Sequence, residues 1–114
     1  MTPEAKVKAR IKKVLAENGA WFYMPQQFGM GATHLDFICS AKREVQDGDV
    51  RSVLWETFFI EAKAPGENPT PRQWAIIERE RAAGFRVFVI DDSGVKGVKN
   101  KHDSLSELES YLRS

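Results

Sequence analysis

The chain has 114 residues, 42% hydrophobic and 11% aromatic, enough for one domain (residues 1–114) with a real core and too little for two. A formal net charge of +1 and a single cysteine, Cys39, exclude a strongly basic or acidic chain and an internal disulfide. Apolar runs are only a few residues long and charge begins at Glu4, so neither a signal peptide nor a membrane span is predicted, and a soluble, cytoplasmic protein is expected.

Thr2-Pro3-Glu4 reads as a helix start, with an N-cap threonine, proline at the first helical position and an acid in the first turn. Val7, Ile11, Val14 and Leu15 then form one apolar stripe, and Asn18-Gly19 supplies the stop. Glu4 lies three residues before Val7, at the near end of the core-facing stripe. Complementing the helix dipole and serving a site are both open to it. Lys6, Lys8, Arg10, Lys12 and Lys13 stand against Glu4 and Glu17, a local excess of three positive charges lying mostly off the stripe. Such a run is a solvated face by default, or a patch facing phosphates.

Residues 20–24 predict a first strand ended by Pro25, and residues 26–33, with Gly29 and Gly31, a flexible loop. Residues 34–41 predict a second strand, with Leu35, Phe37 and Cys39 on one face and His34, Asp36 and Ile38 on the other. Residues 42–52 read as a polar connection around Asp47-Gly48-Asp49, a hairpin turn signal rather than a calcium loop. Residues 53–63 form the third strand, broken by two prolines and a glycine. Thr70-Pro71-Arg72-Gln73 opens a helix that runs to Ala83 and stops at Gly84, and residues 85–91 form a fourth strand. Strand, helix and strand should pair in parallel with a right-handed crossover. Ser104-Leu105-Ser106-Glu107 caps a short last helix. The predicted fold is α/β, a mixed central sheet flanked by helices.

The chemistry gathers on the strands. Glu61 and Lys63 stand two residues apart at the end of an apolar run and must emerge on one face. If the second and third strands pair, Asp36 converges on them. Two carboxylates and a lysine, with Glu4 at a nearby helix start, suit a divalent metal and an attacking water. Magnesium would take Asp36, Glu61 and the backbone carbonyl of Ala62. Lys63 would orient the water or offset charge developing on a phosphate. The competing reading is a structural salt bridge between Lys63 and one of the acids.

These residues together resemble the PD-(D/E)XK nuclease superfamily, and within it the VRR-NUC (virus-type replication-repair nuclease) domain. The motifs that carry the resemblance are Thr2-Pro3-Glu4, Gly29-Met30-Gly31, Asp36, Glu61-Ala62-Lys63-Ala64-Pro65-Gly66 and Pro69-Thr70-Pro71-Arg72-Gln73. In that family proline directly precedes the acid, where this chain has Leu35. The resemblance implies a restriction-endonuclease-like αβββαβ core and a Mg²⁺- or Mn²⁺-dependent DNA endonuclease. It assigns Asp36, Glu61, Lys63 and Gln73 to catalysis and makes Glu4 a metal ligand directly or through water. Branched substrates such as Holliday junctions, a homodimer and a phage origin are further implications, and Lys6, Lys8, Arg10, Lys12 and Lys13 become backbone contacts to DNA. Two rival readings stand beside it: a non-catalytic DNA- or partner-binding module that keeps the fold, and a flap or free-end nuclease.

Overall fold

The computed structural model describes residues 1–26 and 34–114, so the glycine-rich loop around Gly29 and Gly31 lies outside the described residues. Helix α1 (Pro3–Glu17) begins where the sequence predicts, with the Thr2 hydroxyl accepting the Ala5 N–H at 3.1 Å. It ends at Asn18 and at Gly19, whose φ of +69° suits glycine. Four strands follow along the chain: β1 (Trp21–Tyr23), β2 (Phe37–Asp47), β3 (Val50–Ala62) and β4 (Arg86–Ile90). They lie in that order in one sheet, with β1–β2 and β2–β3 antiparallel and β3–β4 parallel. Helix α2 (Pro71–Ala82) makes the crossover between the parallel strands, and α3 (Leu105–Arg113) closes the chain.

Strand alternation sorts the core into two layers. Val7, Ile11 and Leu15 of α1, with Leu108 of α3, pack on Phe37, Cys39, Phe58, Ile60 and Phe88. Ile76 and Ile77 of α2 pack on the opposite face against Phe59, Val87 and Val89. Helices therefore cover both faces around the parallel pair β3–β4.

The polar stretch 42–52 is not a connection. β2 and β3 stay paired rung for rung out to Asp47 and Val50, leaving a tight turn in which Gly48 has a φ of +60°. Residues 44–56 are exposed, so this ribbon projects from the body and stretches the molecule to 49 × 32 × 22 Å. Sequence periodicity missed it because no face of the ribbon is buried. The ladder is a continuation of two buried strands, carried mainly by backbone pairing, with Arg43 Nε 3.6 Å from Glu56 Oε2 at its base. Among the described residues no helix is long and apolar enough to cross a membrane.

Candidate active site

Asp36 lies one step before β2, and the last ladder pair, Phe37 with Ile60, brings it opposite Glu61. Two hydrogen bonds latch the strand ends together. The Asp36 N–H donates to Glu61 Oε1 at 3.2 Å, and the Ala62 N–H donates to Asp36 Oδ2 at 2.8 Å. Because N–H and C=O of one residue leave an extended strand on the same side, the Ala62 carbonyl also faces Asp36.

Glu61 is buried, with its side chain only 3% exposed. Burial first, and the neighbouring Asp36 charge second, push its carboxyl up to about 8, while Lys63 pulls the other way. Lys63 Nζ lies 3.8 Å from Glu61 Oε2, so the predicted lysine–acid pairing is with Glu61. Asp36 has a different cation. Lys8 Nζ sits 3.4 Å from Asp36 Oδ1 and 3.5 Å from Glu4 Oε2. Burial works to lower the Lys8 ammonium, but Asp36 and then Glu4 outweigh it, and its pKa is raised.

Asp36, Glu61 and Lys63 are therefore together, and Glu4 joins them through Lys8. Lys8, read in the sequence as part of a solvated or phosphate-facing run, turns inward to the acids. Its signal was available as the i, i+4 spacing to Glu4. Lys6, Arg10, Lys12 and Lys13 are exposed along α1, with Lys13 Nζ 4.0 Å from Glu17. Gln73 occupies the start of α2, where its Oε1 accepts the Thr70 N–H at 2.9 Å and its own N–H donates to Thr70 Oγ1 at 3.2 Å. The capping box is thus in place. Among the described residues no three His, Cys, Asp or Glu side chains form one metal-sized cluster, and Lys8 stands between Glu4 and Asp36.

Three supporting groups were not assigned a role from the sequence. His34 Nε2 is 2.9 Å from Glu80 Oε1, which ties the segment entering Asp36 to α2. Burial raises the Glu80 carboxyl while His34 opposes the rise. Asp91, fully buried after β4, accepts the N–H groups of Gly66 at 2.9 Å, Lys101 at 2.7 Å and His102 at 3.0 Å. It thereby staples the turn after Lys63 to the segment before α3. Burial pushes the Cys39 thiol up to about 12, which fits the inert cysteine expected at that position.

A mixed sheet covered by helices on both faces, with carboxylates meeting at the ends of adjacent strands, fits an α/β nuclease-like core. Over 69 residues, 60% of this chain and 74% of the other, the sequence is 33% identical to "Putative nuclease p44" of Acyrthosiphon pisum secondary endosymbiont phage 1. The chain belongs to the same family as that phage protein. No protein-family model matches the chain, and no solved structure does.

Proposed function

We propose that this protein is a Mg²⁺- or Mn²⁺-dependent DNA endonuclease that hydrolyses phosphodiester bonds in branched DNA, such as Holliday junctions, as a homodimer. The observation that carries the reading is the latched Asp36–Glu61 pair with Lys63 beside it. Kinship with a phage protein named a nuclease supports the same chemistry. The branched substrate and the dimer rest on the resemblance to VRR-NUC domains.

The donor set fits a divalent cation. Burial, and then the neighbouring Asp36 charge, push the Glu61 carboxyl up to about 8, and a bound cation would offset both by favouring its ionised form. Asp36, Glu61 and the Ala62 carbonyl would hold it, with Glu4 within reach once Lys8 yields its place. When bound, the metal would polarise a phosphoryl oxygen and acidify a water. Lys63, held against Glu61, would orient the attacking water and offset charge on the phosphate. The exposed cations Lys6, Arg10, Lys12 and Lys13 would contact the DNA backbone without reading sequence, and Gln73 would support substrate from the start of α2.

Labelled junction, flap, single-stranded and duplex DNA, incubated with Mg²⁺, Mn²⁺ or EDTA, test this. Cleavage should require a metal and should fall at least about 100-fold in Asp36→Asn and in Lys63→Ala. Without metal, Asp36→Asn should melt within about 1 kcal/mol of the wild type, because asparagine can still accept the Ala62 N–H and the partly exposed Lys8 pair contributes little. No cleavage of any substrate with either metal would sink the reading.

A further inference from the structure

Strand alternation puts Glu61, Phe59, Thr57 and Trp55 on one face of β3. Opposite them on β2 stand Ile38, Ser40 and Lys42, and β1 adds Tyr23 beside Ile38 and Trp21 beside Ser40. Helix α2 covers this face around Phe59. Farther along it is bare: Tyr23 is 52% exposed, Trp21 55% and Trp55 56%. Trp21, Ser40 and Trp55 line a shallow, mostly apolar depression there.

We propose that this aromatic face receives the unpaired bases of a single-stranded DNA segment leading to the Asp36–Glu61 centre. Its place relative to the cut rests on the nuclease reading; the binding itself does not.

Spacing favours an unpaired strand. Tyr23 is level with Phe59, Trp21 with Thr57, and Trp55 lies one rung beyond, so the rings lie about 7, 13 and 20 Å along the sheet from Glu61. Successive rungs are about 6.7 Å apart, roughly twice the ~3.4 Å rise per base of a duplex strand. Bases pulled apart match that interval, whereas stacked duplex bases do not. Charge agrees. Lys42 sits beside Trp55 and Arg51 farther out on the same face, against the single acid Glu44. Half-exposed rings of about 150–250 Å² each leave roughly 300 Å² of bare aromatic surface. That is well short of the ~800 Å² per partner of a stable dimer, so a nucleic acid strand suits the face better than a second copy of the chain.

The test is titration of the protein with short oligo(dT), and with duplex of equal length, in EDTA. Tryptophan fluorescence and the anisotropy of labelled DNA are followed together. Oligo(dT) should quench the fluorescence and bind tighter than duplex. Trp21→Ala and Trp55→Ala should each weaken it by roughly 5- to 150-fold, the range that stacking of one base implies, while Trp21→Phe and Trp55→Phe keep most of the affinity. Lys42→Ala should reduce the salt slope by about one. If oligo(dT) does not bind, or binds the alanine variants as well as the wild type, the inference falls even where junction cleavage persists. Loss of a dimer on sedimentation of Trp21→Ala with oligo(dT) affinity intact would instead make this face an interface between copies and overturn it. Tryptophan-dependent binding by a protein that cuts nothing would leave this inference standing and remove the nuclease reading.

Discussion

Glu61→Gln in metal-free buffer isolates the electrostatics of the site. The Glu61 carboxyl ordinarily titrates near 4.5 and is pushed up to about 8 by burial and then by Asp36. Between those pH values the folded chain holds a proton that the unfolded chain has released. Stability therefore falls as pH rises across the window, being fully present below 4.5 and lost above about 8. At about 1.4 kcal/mol per pH unit the whole interval is worth on the order of 3–5 kcal/mol, a large share of a total of about 5–15. Glutamine copies the protonated acid. It can accept the Asp36 N–H as Glu61 does at 3.2 Å and carries no charge to repel Asp36. Urea denaturation should find the variant within about 1 kcal/mol of the wild type near pH 4.5 and several kcal/mol more stable near pH 9. Adding Mg²⁺ near pH 8 should narrow the gap: a ligand at about 100 times its Kd adds ~2.7 kcal/mol to the wild type, and the variant should gain little. Parallel pH profiles for the two proteins, or a wild type that is the more stable near pH 9 without metal, would refute the claim that Glu61 is strained by burial and by Asp36.

Two further predictions concern the frame of the site. Burial alone would raise the Asp91 carboxyl, but the N–H groups of Lys101, Gly66 and His102 outweigh it and hold it below its ordinary 3.8. Its contribution is therefore present above that value and lost as pH falls through the folded pKa. Asp91→Ala, which leaves three part-buried donors without their acceptor, should cost about 2 kcal/mol by urea denaturation and should flatten the acid limb of the stability profile. Gln73→Ala breaks the α2 capping box and should cost about 1 kcal/mol. Gln73→Glu should restore the cap; if cleavage returns with it, Gln73 acts only as a cap, and if cleavage stays low its amide serves the substrate.

Much of this protein was legible in its sequence because the relevant signals are local. The Val7–Ile11–Leu15 stripe, the Thr2 and Thr70 caps, the parallel strand–helix–strand unit and the shared face of Glu61 and Lys63 all follow from residue type and the periods of helix and strand. Sequence order also pointed Asp36 at Glu61, provided that the strands pair. Tertiary structure decided what depends on register and burial. It extended two strands through a polar stretch that shows no periodicity, because backbone pairing needs no buried face. It gave Asp36 the cation Lys8 rather than Lys63, since α1 lies across the strand end while Lys63 turns to its own strand neighbour. It buried Asp91 among backbone donors and set His34 against Glu80, partners 10 to 46 residues away in the chain. It also left Trp21 and Trp55 in water while Trp74 packs against the core, a distinction composition cannot make because exposure is set by which part of the sheet the helices cover.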